Sequence, residues 1–216
     1  MTTFVYGAGA AGRVAVDILR AMGSSDVAFV DDAPNLWGKA VMGVQVHPPK
    51  VLDYPAQDDA VLLAIGRPGL RLDLARRLAA RGIRFANAIH PSAVLLPSVR
   101  VGVGCTIGAG TVVETEATIA DHCIFSPNVL IGHDVSIGEA VGIGGGATVG
   151  ARTSIGAAAF LCLQCVILTN RTVGAGAVVG AGSLVQSDVP PNVLVLGCPA
   201  RPVWAVDSSF DWKKIL

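Results

Sequence analysis

The chain has 216 residues, of which 52% are hydrophobic and 15% are charged, a balance that excludes an intrinsically disordered protein. Its 16 basic side chains match its 16 acidic ones, so the net charge predicts neither a nucleic acid nor an anionic membrane surface as a partner. Residues 1–20 lack the basic start and unbroken apolar run of a signal peptide. The longest uncharged stretch, 153–170, contains polar residues and keeps a six-residue period, so we expect no membrane span and a cytoplasmic protein.

Predicted strands and helices alternate through the first ninety residues. Apolar runs at 3–6, 27–30 and 61–65 are typical of buried strands. Helical spacing occurs at 12–22 and 70–81, and a glycine follows each of these segments. This order predicts an α/β domain with a parallel, Rossmann-like sheet.

A glycine-rich motif lies where the first predicted strand meets the first predicted helix. In Gly7-Ala8-Gly9-Ala10-Ala11-Gly12, the first glycine would make the turn, the second would let a pyrophosphate approach, and the third would pack helix against strand. Asp31 directly follows the second predicted strand, at the distance along the chain expected for a ribose-binding carboxylate, and Asp32 is next to it. Taken alone, the motif favours NAD as the ligand.

A six-residue repeat begins at Val94 and continues to Val189, giving sixteen hexads without insertion or deletion. The second residue of every hexad is Leu, Val, Ile or Phe, and the third is glycine in nine of them. Such a repeat predicts a parallel β-helix, in which each hexad forms a short strand and a corner and three hexads close one coil. The second residue points inward, and glycine relieves backbone crowding at the corner.

Charged side chains are scarce in the repeat region, with nine among its 96 residues. Outer faces this apolar need a partner in water, so we expect self-association. An aromatic-rich tail at 203–216 is expected to cap the last coil or a neighbouring subunit. The predicted architecture is therefore α/β plus all-β: a Rossmann-like domain at 1–90, a β-helix at 91–202, and this tail.

Two histidines occur within the hexads. His133 is the fourth residue of its hexad, at an outward corner, and Asp134 follows it. An outward histidine on an uncharged face is typical of a general base whose second ring nitrogen is held by a carboxylate, with a solvated histidine as the alternative. His122 is the fifth residue of its hexad, and we expect a structural or interface role for it.

Several motifs occur together over nearly the whole chain: Ile89-His90-Pro91-Ser92-Ala93, Ile131-Gly132-His133-Asp134 within the hexads, Asp188-Val189-Pro190-Pro191, and Gly197-Cys198-Pro199-Ala200-Arg201. In this combination the sequence resembles bacterial acetyltransferases that act on sialic acid or on nucleotide-linked amino sugars. The resemblance implies a Rossmann-like domain joined to a left-handed β-helix, acetyl-CoA as co-substrate, and homotrimers with active sites between the prisms.

The resemblance also implies roles for individual residues. His133 would take a proton from the acceptor, and Asp134 would orient its imidazole. The backbone N–H of Ala151, three hexads further along the chain, is our candidate donor to the oxyanion. Ser126 and Asn128 would contact the acceptor sugar. The expected CoA-binding residues are Gly142, Ala151 and Arg201, and the expected nucleotide-sugar-binding residues are Gly7, Gly9, Gly12, Asp31, Asp32 and Arg71.

The sequence departs from the family pattern at three of its positions. The family often has Asn where this chain has Ser126, and His where it has Gly142 or Ala11. Acyl transfer stays the expected chemistry, and these three positions lack the side chains with which the family usually contacts its substrates.

We therefore predict an acetyl-CoA-dependent acetyltransferase that acts as a homotrimer on the amine of a nucleotide-linked amino sugar. Transfer to a sugar hydroxyl, an NAD-dependent oxidoreductase and a non-catalytic β-helix scaffold stay open as alternatives. No metal site is predicted, because Cys162 and Cys165 lack a second cysteine pair. Cys105 and Cys123 occupy the same position of hexads one coil apart, so they are expected to stack as packing residues with free thiols.

Overall fold

The N-terminal part of the computed structural model, which describes residues 2–53 and 55–212, is an α/β unit around a five-stranded sheet. Its elements in chain order are β1 (Thr3–Tyr6), α1 (Ala10–Ala21), β2 (Val27–Val30), a 3₁₀ helix (Pro34–Leu36), β3 (Ala40–Val41), β4 (Val44–His47), a second 3₁₀ helix (Pro49–Asp53), β5 (Ala60–Leu63) and α2 (Pro68–Ala79). The strand order is β3-β4-β2-β1-β5, and β1 pairs in parallel with β2 and β5. The predicted Rossmann-like alternation of strands and helices is confirmed.

The sheet is covered on both sides because its strands are apolar at consecutive positions. Val5, Phe29 and Leu62 point to one side, where they pack with α1. Tyr6 and Leu63, which are the next residues along β1 and β5, point to the opposite side and pack with α2. Burial on both sides is what distinguishes strands of a parallel sheet from half-buried antiparallel strands.

The hairpin of β3 and β4 was not predicted. Its two strands are antiparallel and are joined at Met42 and Gly43, which have φ values of 52° and 75°. Two consecutive positive φ values are typical of a type I′ turn, which normally takes Asn-Gly or Asp-Gly. A Met-Gly pair carries no such turn signal, so the sequence pattern did not show this hairpin.

The second part of the chain is the predicted prism of stacked short strands. Each of the sixteen hexads contributes one two-residue strand, and the coil begins one hexad earlier than predicted, at β6 (Ala88–Ile89). The hexad strands are β7 (Val94–Leu95), β8 (Arg100–Val101), β9 (Thr106–Ile107), β10 (Val112–Val113), β11 (Thr118–Ile119), β12 (Ile124–Phe125), β13 (Leu130–Ile131), β14 (Ser136–Ile137), β15 (Gly142–Ile143), β16 (Thr148–Val149), β17 (Ser154–Ile155), β18 (Phe160–Leu161), β19 (Val166–Ile167), β20 (Thr172–Val173), β21 (Val178–Val179) and β22 (Leu184–Val185).

The strands stack into three parallel sheets, which we call faces. Face 1 contains β6, β9, β12, β15, β18 and β21; face 2 contains β7, β10, β13, β16, β19 and β22; face 3 contains β8, β11, β14, β17 and β20. Each strand pairs with the strand three hexads further on, as Leu130 does with Thr148. Successive coils therefore place the same hexad position at the same corner.

The interior of the prism follows the hexad pattern. The second residues from Ile107 to Val185 are buried and form one continuous apolar cluster. The third-position glycines are required by close stacking: a Cβ on Gly132 would lie 2.7 Å from the backbone nitrogen of Ala151 in the next coil. This distance explains why glycine recurs at that position.

The three faces differ in their first-position residues, which point outward. On face 1 most of them are buried or half-buried beneath other parts of the chain: Ala88, Thr106, Ile124, Gly142, Phe160 and Val178. Face 3 carries polar residues: Arg100, Thr118, Ser136, Ser154 and Thr172. Face 2 is apolar at all but one of its first positions, the exception being Thr148: Val94, Val112, Leu130, Thr148, Val166 and Leu184. Within the described chain, no other segment is paired with this face in a sheet or a core cluster.

The C-terminal segment extends the sheet of face 1 and then packs on its outer side. The strand β23 (Val193–Gly197) pairs with β21, and β24 (Ala200–Ala205) turns back antiparallel to β23, so both continue the sheet past its last hexad strand. Trp212 then packs edge-on against Phe160, and Phe210 against Trp212, in a cluster with buried Cys162. Residues 213–216 of the predicted tail lie outside the described residues.

Candidate functional site

The candidate catalytic pair lies at the corner between faces 2 and 3. His133 and Asp134 follow β13, and Asp134 adopts a positive φ of 58°, which aspartate tolerates better than most residues. The imidazole Nδ1 of His133 lies 2.6 Å from Oδ2 of Asp134, and both side chains are partly exposed. Because a carboxylate only accepts hydrogen bonds, Nδ1 carries the proton and Nε2 is left as the nitrogen that can accept one.

A third polar side chain, which the sequence analysis missed, holds the backbone of this pair. Glu114, one coil below, accepts a hydrogen bond from the His133 backbone N–H at 3.0 Å. Glu114 stands at the third hexad position, where nine other hexads have glycine. A glutamate in place of that glycine, one coil below Gly132 and therefore beside the histidine, could have identified this residue.

The predicted oxyanion donor lies directly above His133. The Arg152 backbone N–H donates to the His133 carbonyl at 2.9 Å, which places Ala151 on the same corner in the next coil. Within the described residues, the Ala151 backbone N–H has no hydrogen-bond acceptor. Both residues there, Gly150 and Ala151, are small, and the oxyanion role of Ala151 stays a prediction.

The predicted acceptor-binding residues do not meet His133 within one chain. Ser126 and Asn128 lie at the corner between faces 1 and 2, after β12. Asn128 has a positive φ of 59° and is exposed. Face 2 therefore lies between these residues and His133, so a single chain does not bring the two groups together.

Two predicted CoA-binding residues have different surroundings. Gly142 is buried, and a Cβ there would lie 2.6 Å from the Phe160 ring and 3.7 Å from Pro68 of α2. This corrects the prediction for Gly142, because its outward side is covered by packing and offers CoA no surface. Arg201 lies on β24, is exposed, and bonds to the carbonyl of Ala200, so its role stays a prediction.

Gly7 of the glycine-rich motif and the two predicted carboxylates, Asp31 and Asp32, line a cavity of about 610 Å³ in the N-terminal domain. We call this cavity the nucleotide groove after the ligand predicted for these residues, and their binding role stays a prediction. Its other lining residues were not predicted: Tyr6, Ile65, Leu70, Asp73, Leu74 and Arg77. Four of these are spaced as one face of helix α2, at 70, 73, 74 and 77, a helical period that could have identified them.

The three motif glycines have distinct structural reasons. Gly7 has a φ of 106°, and a Cβ on Gly12 would lie 1.8 Å from the Gly7 carbonyl oxygen, so the helix packs directly on the turn. Gly9 precedes α1, and a Cβ there would meet nothing within 4 Å. The space beside Gly9 is open at the amino end of the helix, where phosphate groups bind favourably.

The carboxylates of the groove also shape it. Asp31 accepts hydrogen bonds from the backbone N–H of Ala8 at 2.8 Å and of Ala33 at 2.9 Å, so it holds the glycine-rich turn in place. The Tyr6 hydroxyl donates to Asp32 at 2.8 Å, and burial together with this carboxylate raises the pKa of Tyr6 above its ordinary value. Tyr6 therefore stays neutral as a donor at physiological pH.

Arg71 does not line the groove, which corrects its prediction as a nucleotide-binding residue. Its side chain is fully buried between α2 and the prism. The guanidinium donates to the backbone carbonyl of Ile65 and to those of His122 at 2.8 Å and Ala140 at 2.7 Å. Each of its three nitrogens thus donates to a backbone carbonyl, because the helix turns this residue toward the prism.

Comparisons with known proteins identify the family. A family model described as the PglD N-terminal domain matches residues 3–78, whereas no curated protein sequence matches the chain significantly. PerB from Caulobacter crescentus, in a complex with CoA and GDP-perosamine, is 33% identical, with a TM-score of 0.87 over 94% of this chain and 98% of that one. The chain belongs to the bacterial hexapeptide-repeat sugar N-acetyltransferases.

Two further acetyltransferase structures agree with this assignment. The acetyltransferase domain of PglB from Neisseria gonorrhoeae, in complex with acetyl coenzyme A, is 28% identical, with a TM-score of 0.87 over 94% of this chain and 98% of that one. WeeI from Acinetobacter baumannii is 26% identical, with a TM-score of 0.77 over 94% and 100% of the two chains. The predicted family, the left-handed β-helix and the acetyl-CoA-dependent sugar acetyltransferase class are thereby confirmed.

One histidine and four cysteines outside the candidate sites are buried. His122 is buried edge-on against Phe85, which agrees with the structural role predicted for it, and burial lowers its pKa. Cys105 and Cys123 are fully buried free thiols in successive coils, as expected of packing residues. Burial raises the pKa of Cys162 to about 11 and that of Cys165 to about 12.

The described residues include neither a metal-binding cluster nor a helix that could span a membrane. In residues 2–53 and 55–212, no three His, Cys, Asp or Glu side chains are grouped so that they could hold a metal ion. Among the helices of the same part of the acetyltransferase, none is long and apolar enough to cross a membrane.

Proposed function

We propose that this acetyltransferase transfers the acetyl group of acetyl-CoA to the amine of a nucleotide-linked amino sugar. The observation that carries the proposal is the His133 imidazole, whose Nδ1 is bound to Asp134 and whose Nε2 is left to accept a proton. The relative PerB was solved with CoA and GDP-perosamine, so a nucleotide-linked amino sugar is the substrate class that a similar site would take.

The transfer proceeds by direct attack in a complex with both substrates. The neutral amine attacks the thioester carbonyl carbon, and His133 Nε2 takes the proton that the nitrogen loses. The negative oxygen accepts a hydrogen bond from the Ala151 backbone N–H, a donor that is already in place before the charge develops. Collapse of this intermediate breaks the carbon–sulfur bond, and the departing CoA thiolate takes the proton from the imidazolium.

The nucleotide part of the acceptor binds in the nucleotide groove. Asp31, Asp32 and Asp73 give the groove an acidic lining with Arg77 as its cation, which favours the hydroxyl and N–H donors of a nucleoside over its phosphates. The phosphates lie toward Gly9, where the amino end of α1 is open and favours negative charge. We keep Gly7, Gly9, Gly12, Asp31 and Asp32 as nucleotide-sugar-binding residues and exclude Arg71.

Three copies assemble through face 2. This face is apolar, with Val94 52% and Leu130 39% exposed in one chain, whereas face 3 is polar and face 1 is covered by the N-terminal domain and the tail. Face 2 is flanked by the corner of Ser126 and Asn128 and by the corner of His133. A homotrimer packed through face 2 would bring these two corners of different protomers together, and CoA would lie between them near Ala151 and Arg201.

We place the enzyme in the cytoplasm. The described cysteines are all free, and a reducing compartment keeps thiols in this form.

The proposal is tested by incubating the purified protein with acetyl-CoA and a panel of UDP-, GDP-, dTDP- and CMP-linked amino sugars. We expect CoA release with at least one of them and an N-acetylated product by mass spectrometry. Sialic acid in the same panel tests transfer to a hydroxyl, and NAD⁺ in a thermal-shift assay tests the oxidoreductase alternative. Stabilisation by NAD⁺ alone, without CoA release from any acceptor, contradicts the proposed function.

A further inference from the structure

A buried cation joins the two parts of the chain, and no carboxylate among the described residues forms an ion pair with it. Arg71 is 0% exposed, and its three guanidinium nitrogens donate to three backbone carbonyls. Burial lowers the pKa of Arg71 to about 10, so it stays protonated at neutral pH. A desolvated charge is costly unless it is well bonded, and an apolar side chain of similar size often stabilises such a contact equally well.

The carbonyl partners of Arg71 come from both sides of the domain boundary. His122 and Ala140 occupy the same corner in successive coils, where both have positive φ values. Ile65 follows β5 and lines the nucleotide groove. The rigid, planar guanidinium thus fixes one wall of the groove against two coils of the prism at defined angles.

Helix α2 shows the same division between its two sides. Leu70, Asp73, Leu74 and Arg77 line the groove, whereas Arg71, between them in sequence, points to the prism. Any rotation of α2 on the prism would move both the groove wall and Arg71. We call this contact of α2, Ile65 and Phe85 with the corner of His122 the seam.

From these contacts we infer that Arg71 is a positioning residue, which fixes the nucleotide groove relative to the β-helix so that binding of the nucleotide contributes to acetyl transfer. The inference rests on the proposed function. A nucleotide held in the groove helps the reaction only if its sugar amine then lies within hydrogen-bond reach of the base, and this needs a fixed distance between the two sites.

The inference predicts a loss that depends on the acceptor. In Arg71→Lys, a single ammonium replaces a planar group with three bonded nitrogens. We expect kcat/KM for the nucleotide-linked amino sugar to fall about tenfold or more, because misplacement of the acceptor costs rate. Turnover of the same amino sugar without its nucleotide should change less than about twofold, because that acceptor does not use the groove.

Arg76→Met is the matched control. Arg76 is on the same helix and reaches Glu139 of the prism at 3.4 Å, but both side chains are exposed, and exposed ion pairs contribute little. We expect this variant to match the wild type with both acceptors. Amide hydrogen exchange over residues 68–79 gives a second readout, and it should be faster in Arg71→Lys than in Arg76→Met.

The outcomes separate this inference from the proposed function. A wild-type protein that acetylates no nucleotide-linked amino sugar contradicts the function itself. If the wild type does acetylate such a sugar, but Arg71→Lys loses turnover equally with both acceptors or with neither, only the role of Arg71 is overturned. If Arg71→Lys does not fold, Phe85→Leu takes its place, because it loosens the same seam at the edge-to-face contact with His122 without leaving a buried charge. A larger loss of turnover with the nucleotide-linked acceptor than with the free amino sugar then supports the inference, and equal losses overturn it.

Discussion

At the residue scale, the proposed chemistry depends on one partly exposed imidazole, that of His133, which is held by neighbours from its own coil and the coil below. Asp134 fixes the ring through Nδ1, and Glu114 fixes the backbone through the His133 N–H. The hexad repeat makes this arrangement possible, because a register of three hexads per coil places chosen side chains above one another at one corner.

Replacing His133 by alanine should remove most of the acetyl transfer. A general base contributes about 100- to 10,000-fold, so we expect kcat to fall by that factor. The thermal midpoint should hardly change, because the His133 side chain is partly exposed and packs against no core cluster. Steady-state CoA release measures the first effect, calorimetry the second, and near-normal turnover would remove His133 as the base.

Glu114 allows a test that separates hydrogen bonding from charge. Glu114→Gln keeps an oxygen that can accept the His133 N–H, whereas Glu114→Ala leaves this N–H without its acceptor. We expect kcat of the alanine variant to fall about tenfold to a hundredfold and that of the glutamine variant to stay within about threefold of the wild type. If the two variants lose the same amount, the carboxylate charge matters and the positioning explanation is wrong.

At the scale of elements, the nucleotide groove is a product of close packing between a turn and a helix. The Gly7 turn and α1 contact each other with no room for a side chain, and Asp31 holds the turn through the Ala8 amide. The groove wall on α2 is then fixed through the seam. Each of these features links two elements that are separate in sequence.

Gly12→Ala should destabilise the N-terminal domain. Its Cβ would lie 1.8 Å from the Gly7 carbonyl oxygen, so backbone must move, at a cost of about 1–3 kcal/mol or more. Gly9→Ala is the matched control: the added Cβ meets nothing within 4 Å, and we expect little loss of stability. Urea unfolding of the two variants checks this, and equal losses would show that the turn is not as tightly packed as described.

At the scale of the whole molecule, the three faces of the prism differ in polarity and in what covers them. Face 1 carries the N-terminal domain and the tail, face 3 carries polar side chains, and face 2 is apolar. The apolar outer faces of the prism were expected to be covered by other subunits. Much of this surface is covered within one chain, and face 2 is the apolar face that no other part of the described chain covers.

A charge on face 2 should therefore break the assembly. We expect the wild type to sediment at three times its 22.0 kDa protomer mass and Leu130→Glu to sediment as a monomer. Ser136→Glu is the control, because Ser136 is the equivalent outward residue on face 3 of the same coil. A Leu130→Glu protein that keeps the wild-type mass would show that face 2 is not the interface.

The hexad pattern is enough to predict the β-helix, because a period of six with an inward second residue and third-position glycine is a local pattern that stacking repeats. The register of three hexads per coil likewise predicts that Ala151 lies above His133, and the spacing of a tight turn identifies Gly7 and Gly12. How the N-terminal domain lies on the prism is visible only in the folded molecule, because no local period encodes which side of a helix meets a separate domain. That contact buries Arg71 and covers Gly142, so packing takes the place of the ligand contacts predicted for these two residues.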